Sequence, residues 1–335
     1  MPLSATGHPL HTRSLSVALM ADEPPRVAFA AYVLDLRKRG FAPVGGDLQG
    51  TGIIHHMRLD GVIDRATGRI ERISAQMPAI AFEASAATGG ESCRDLIGRV
   101  DHLAGTVLDD AYARGVGAEI GGTRGCSHIL TLAHLLGPTA RWAFAVDERL
   151  HGASAARRAG ERIFRRDVTI DGYEPAFGEI ALTLQLNDVH FAPAPALAEP
   201  MQRFGAQTEI TASAAVRMMD LTVQGVSVHE RRRTAATFAS ADWQARDDAA
   251  APLTGQSLRA GVSGRLLAHF ADPGDDAPLR DALLQLAPAI IQCFAALDIW
   301  AMRQDGNAVA ETGGLPDSCY MWRRDGALVK TRRTA

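Results

Sequence analysis

Residues 53–64, IIHHMRLDGVID, run into Arg65-Ala66-Thr67-Gly68 and out again through residues 69–77, RIERISAQM. Two extended runs flanking a short turn that ends in glycine predict a β-hairpin. Upstream, residues 14–20 (SLSVALM) alternate polar and apolar side chains and predict a half-buried strand. Pro24 and Pro25 separate it from residues 27–36 (VAFAAYVLDL), a second strand whose alanines would also allow a helix. Residues 1–10 read as a loose tail, and residues 40–52, with Pro43, Gly45, Gly46, Gly50 and Gly52, read as a loop. Downstream, residues 77–90 are extended and then glycine-rich. Residues 93–108 and 110–120 carry helical spacing, and a long helix is predicted over 127–146, kinked or broken at Pro138.

After a connector at residues 153–160 (ASAARRAG) the order of elements restarts. Residues 161–171 and 179–191 resemble the first two strands, 208–216 and 221–231 the hairpin, 253–270 the first helices, and 279–297 the long last helix. A shift of 153 positions places Arg13 on Arg166, Asp35 on Asp188, Gly52 on Gly205 and Ser74 on Ser227. The predicted fold is α+β: two similar repeats, each an antiparallel sheet packed against helices. The first repeat spans 11–150 and carries the polar motifs, the degenerate second spans 161–300, and 301–335 form a C-terminal extension. The alternative is one continuous α+β domain with two similar sheets. The copies differ where chemistry is concerned. Arg280-Asp281-Ala282 stand where the first copy has Cys126-Ser127-His128, and Thr208-Glu209 where it has His55-His56. The polar site therefore belongs to the first copy.

The bulk composition excludes several classes of function. The chain has 335 residues, 47% of them apolar, with 35 basic and 38 acidic side chains and a formal charge of −3. Neither a basic stripe nor an acidic tail is present, and only 6% of residues are aromatic, so no nucleic-acid or membrane-surface partner is expected. The cysteines Cys93, Cys126, Cys293 and Cys319 are widely spaced and form no C-x-x-C, which reads as free thiols in a reducing compartment. With no signal-peptide h-region and no long apolar run, a cytoplasmic location is expected.

The chemistry-bearing stretch is residues 121–136, GGTRGCSHILTLAHLL. A glycine-rich turn feeding a helix start exposes backbone N–H groups and the positive end of the helix dipole. Cys126 and His128 there admit three readings: a nucleophilic thiol with a base beside it, two ligands of a metal completed by His55 or His56, or a structural helix start. General acid or base work by His128, with the turn amides of GGTRG stabilising an oxyanion, ranks above thiol and metal, and no metal is assigned. His55 and His56, adjacent in a strand, point to opposite faces, so one of them reaches a shared site. Glu83 is a further candidate base. Glu91, Arg94 and Asp95, in GESCRD, form a polar cluster in which Arg94 can clamp a carboxylate or phenolate and Ser92 or Glu91 can instead cap a helix. Arg124 and Cys126 complete the candidate substrate-binding set. Residues 317–324 (DSCYMWRR) either close over an aromatic ligand or dock the C-terminal tail, and docking is favoured.

Ile54-His55-His56-Met57 with Asp64, and Gly121-Gly122-x-x-Gly125-Cys126-Ser127-His128-x-Leu130-x-Leu132, resemble the motifs of a bacterial domain-of-unknown-function family. Its members show an I-H-D-M strand and a G-C-T-H-L-x-E-L-L helix. The resemblance covers about residues 11–145. The chain departs from it at His56, where the family has Asp, and at Thr131, where it has Glu. With FEAS, GESCRD and DSCYMW, the chain resembles a subgroup associated with aromatic-compound catabolism. The resemblance implies a cofactor-free carbon–carbon lyase on lignin-derived dimers, with phenylcoumaran γ-formaldehyde lyase as the specific candidate. The alternatives are an acyl or thioester hydrolase using Cys126 or a metal-bound water, and a non-catalytic binding or assembly module. A small aromatic substrate and a possible homodimer are the expected partners.

Overall fold

In the computed structural model the residues described are 7–39, 42–44, 47–152, 156–259, 261–297 and 316–333. Residues 301–315 of the predicted extension lie outside them. The first half contributes strands β1 (His8–Ala21), β2 (Arg26–Arg37), β5 (Gly52–Asp64) and β6 (Arg69–Ala79). The second contributes β7 (Arg162–Glu174), β8 (Glu179–Phe191), β9 (Phe204–Arg217), β10 (Thr222–Thr234) and the short β11 (Gln244–Ala245). All nine lie in one antiparallel sheet in the order β11-β10-β9-β8-β7-β1-β2-β5-β6. Two separate sheets were expected. The first strands of the two halves instead pair with each other, which leaves neither with an open hydrogen-bonding edge.

Strand alternation decides which side chains face the helices. In β1, Leu15, Val17 and Leu19 are fully buried, and in β2 Val27, Phe29, Ala31 and Val33 follow the same period of two. Extending those two series places His11, Arg13, Asp35 and Arg37 on the same buried face.

Seven α-helices occur among the described residues: α1 (Tyr112–Ile120), α2 (Ser127–His151), α3 (Asp247–Ala250), α4 (Val262–His269), α5 (Ala277–Leu284), α6 (Leu286–Ala295) and α7 (Ala327–Arg333). Helix α2 is long and apolar enough to cross a membrane by length and composition, but it packs as the central core helix, touching strands of both halves. It continues through Pro138 without a break, because tertiary packing along its length outweighs the lost backbone bond. The predicted helix over 279–297 is instead divided at Gln285 between α5 and α6. Residues 93–108 yield only a 3-10 turn, Ile97–Leu103. Residues 27–36 are strand rather than helix, and residues 8–10 belong to β1 rather than to a tail. Within the predicted loop 40–52 lie two short paired strands, β3 (Ala42–Val44) and β4 (Asp47–Gln49). Apolar side chains of both halves share one large core, and Phe82, Met321 and Leu328 form a smaller cluster beside it.

Strand pairing repeats with the 153-residue offset. Arg13 pairs with Asp35 and Arg166 with Asp188. Asp35 pairs with His55 and Asp188 with Thr208. Asp60 pairs with Ser74 and Ser213 with Ser227. Across the middle of the sheet, Val17 pairs with Arg166 and Arg13 with Ile170, symmetrically about the Leu15–Val168 pair. The same offset places Asp281 of α5, rather than Ala282, at the position of His128 in α2.

Candidate functional site

Asp35 is the centre of the site. It sits on β2 in the buried series, with no exposed surface, and four basic side chains converge on it. His11 Nε2 of β1 lies 3.4 Å from Oδ1, and Arg13 Nη1 lies 3.8 Å from the same oxygen. His128 Nε2, from the first turn of α2, lies 3.1 Å from Oδ2, and His55 Nδ1 of β5 lies 3.5 Å from it. The His55 and His128 rings stack with centroids 3.8 Å apart. Neither Asp35 oxygen, nor His55 Nδ1 or His11 Nε2, has a hydrogen-bond partner of good geometry.

Charge is set by these neighbours. Burial works against the Asp35 carboxylate, but the Arg13 guanidinium and the close His128 and His55 rings outweigh it and hold the carboxyl well below its usual range. Burial pushes the His11 imidazole down to about 4. Burial and the neighbouring His55 push His128 down to about 3. Near neutral pH the centre therefore holds an ionised carboxylate between neutral His11 and His128 imidazoles. Asp35, His55 and His128 each present a ligand atom within 4.8 Å of the others, and this donor set can hold a divalent cation.

His128 opens onto a cavity of about 170 Å³, whose wall includes Arg13, Thr131, Ile291 and Gln292. Gln292 Nε2 lies 3.2 Å from His128 Nε2, so α6 of the second half closes a site built on the first. His128 Nδ1 faces the Cys126 thiol at 3.8 Å.

The structure brings together His55, His128 and Cys126 of the sequence-predicted residues and places the others elsewhere. His56 points to the opposite face of β5 and is half-buried. The Glu83 side chain is largely exposed and pairs with Arg94, whose Nε and Nη2 also hold the Met77 carbonyl, making a bracket between loop and strand. Glu91 is engaged by Arg323 of the C-terminal segment. Asp95 accepts the Ser92 N–H in a local turn. Arg124 donates to the Gly117 carbonyl, closing the end of α1. The amides of Gly121, Arg124 and Gly125 are bonded to carbonyls of α1 and of their own turn, so those three are not free to meet an oxyanion. Burial raises the Cys126 thiol to about 12, against the depression a helix start was expected to supply. The 317–324 segment docks: the Tyr320 N–H reaches the Gly125 carbonyl, and Met321 packs with Phe82 and Leu328. Sequence reasoning missed His11, Arg13 and Asp35 as site residues. Their signal was the strict alternation of β1 and β2, which places charged side chains at core positions.

The second half holds a different centre at the same place. Arg166 makes a two-pronged contact with Asp188, at 2.7 and 2.6 Å, and its Nη1 reaches Asp281 at 2.6 Å and Thr139 at 2.8 Å. At the positions 153 residues on from His11, His55 and His128 stand Phe164, Thr208 and Asp281. In this ion cluster every guanidinium nitrogen of Arg166 has a partner.

The fold and the site together define a mixed α and β protein with a large antiparallel sheet and one buried carboxylate–imidazole centre. The model of a family described as a protein of unknown function (DUF2889) matches residues 11–142, so the chain carries that domain across the half that holds the centre. No curated protein and no solved structure matches the chain.

Proposed function

We propose that the protein is a carbon–carbon lyase that releases formaldehyde from a lignin-derived aromatic dimer, in the manner of a phenylcoumaran γ-formaldehyde lyase. The observation that carries this reading is His128, backed by an ionised Asp35 and flanked by Arg13, on the wall of a cavity one aromatic ring can enter. With its ring proton on Nδ1, His128 would accept at Nε2 the proton of a substrate hydroxymethyl group that displaces the Gln292 amide, and Asp35 would stabilise the imidazolium. As the C–C bond breaks, the alkoxide C–O bond becomes the carbonyl of formaldehyde. The free phenolate of the substrate first expels the ring ether oxygen, breaking the Cα–O bond to leave a quinone methide and one phenolate; the electron pair released from the C–C bond then forms the new C=C bond and ends on the quinone-methide oxygen as a second phenolate. The substrate is thus its own electron acceptor, and Arg13 is the cation nearest the cavity for the charge that develops. The expected setting is the cytoplasm, as a single chain or a homodimer.

We also infer that the two halves are repeats of one unit, the second having lost the site. The shared offset of strand pairing and the parallel order of strands and helices support this. A screen of phenylcoumaran and other lignin dimers for released formaldehyde, with acyl thioesters in parallel, tests the activity. Formaldehyde from a phenylcoumaran is the expected result, and turnover of thioesters alone would replace the reading.

A second reading, hydrolysis of an acyl or thioester substrate assisted by a divalent cation, is favoured by the convergence of Asp35, His55 and His128 within 4.8 Å. Elemental analysis of active protein separates the two. Formaldehyde release by metal-free protein retains the lyase, and thioester hydrolysis lost on chelation and restored by a divalent metal selects the hydrolase.

A further inference from the structure

We propose that the cavity over Arg13 is a seat for an aryl oxyanion: a phenolate or carboxylate carried on a single aromatic ring. Arg13 is 2% exposed, on the core face of β1. A buried guanidinium is costly unless its donors are met. Its Nε has no hydrogen-bond partner, and its Nη1 has only a long contact, 3.5 Å, to the Pro288 carbonyl. The Asp35 carboxylate stands 3.8 Å away and is shared with three histidines.

The other half shows what this guanidinium lacks. Arg166, in the same register, receives a carboxylate oxygen of Asp281 on Nη1 at 2.6 Å, in addition to Asp188. The position of Asp281 is held by His128 in the first half, so the second carboxylate is missing there. In its place the cavity opens, with Arg13 and His128 among its lining and Ile291 and Pro288 offering an apolar wall. Its volume of about 170 Å³ is close to the ~150 Å³ of an apolar cavity known to hold benzene. An oxyanion on one ring supplies the absent charge and fills the space together.

The inference takes its site from the lyase reading and deepens it by naming the group the substrate or product presents to Arg13. Binding is read without turnover. A protein that binds the anion and releases no formaldehyde keeps the seat and loses the reaction.

Isothermal titration of the full-length protein with benzoate, 4-nitrophenolate and the uncharged benzamide tests it. At least one anion should bind, with benzamide weaker by about tenfold or more. Benzoate alone binding assigns the seat to a carboxylate, and 4-nitrophenolate alone to a phenolate. Arg13→Gln should abolish the preference. A second variant guards against loss of fold: His128→Asp restores the carboxylate that Asp281 supplies to Arg166. It should unfold cooperatively and bind neither anion. Failure of both anions to bind the wild type, equal binding of benzamide, or wild-type anion binding by His128→Asp would overturn the proposal.

Discussion

A carboxylate in the fully buried position of Asp35 needs its surrounding cations and donors, and it in turn holds His55 and His128 in place. Asp35→Asn and His128→Ala should each lower turnover by about 10²–10⁴-fold, the range for loss of a positioned acid–base group, in formaldehyde-release kinetics on folded protein. Cys126→Ala should retain most activity, because the thiol is held protonated by burial; loss of turnover comparable to that of His128→Ala would restore the thiol as nucleophile. In the second half, His190 is 2% exposed, lies against Phe164 and Trp142, and has no hydrogen-bond partner on either nitrogen. Burial, helped by the nearby Arg166, pushes its imidazole down to about 3, so it is neutral in the fold. The unfolded chain takes up a proton below its ordinary value near 6.5. The stability contribution is therefore present above that pH and lost as pH falls toward the folded value, at up to about 1.4 kcal/mol per pH unit. Melting temperatures measured between about pH 7 and pH 5 should fall, and His190→Leu should flatten the fall. An equal slope in the two proteins would refute this assignment.

Helix α2 joins the sheet to the site, and its own contacts decide how firmly His128 is held. A Cβ built on Gly137 would stand 2.3 Å from the Tyr112 ring, and the Tyr112 hydroxyl donates to the Ala133 carbonyl at 2.9 Å. The ring is locked between α1 and α2 and cannot move aside cheaply. Gly137→Ala should therefore destabilise by about 1–3 kcal/mol despite its better helix propensity, as measured by urea unfolding. The strands and hairpins were legible from period-two alternation and turn chemistry, because those signals are local. The break at Gln285 and the uninterrupted run through Pro138 were not, since packing across both halves decides each. At the site, GGTRGCSH marked the correct helix start, and His55 the correct strand. The glycine turn suggested open amides and a reactive thiol, but the amides of Gly121, Arg124 and Gly125 are met by carbonyls of α1 and of the turn itself, and burial, which depends on contacts far along the chain, keeps the thiol protonated. Asp35 and Arg13 hide among apolar residues, where a charged side chain in a strand is easily read as an outward-facing one.

Across the whole molecule, two places in one sheet, 153 residues apart in register, are built in opposite ways. Around Arg166 every charge is answered, and around Arg13 the cluster is left open to a cavity. Asp188→Asn should cost about 3–5 kcal/mol in chemical denaturation, since it leaves the buried Arg166 short of its principal partner. Any activity that survives in the folded fraction should keep its substrate affinity, because that cluster does not line the cavity. The halves also exchange contacts reciprocally: α6 supplies Gln292 and Pro288 to the first centre, and α2 supplies Thr139, 153 positions before Gln292, to the second. The most direct test of the account is formaldehyde release from a phenylcoumaran dimer by the wild type and by Asp35→Asn, each verified as folded. The account predicts release by the wild type and a loss of about 100-fold or more in the variant; no release by the wild type, or equal rates in the two proteins, would contradict it.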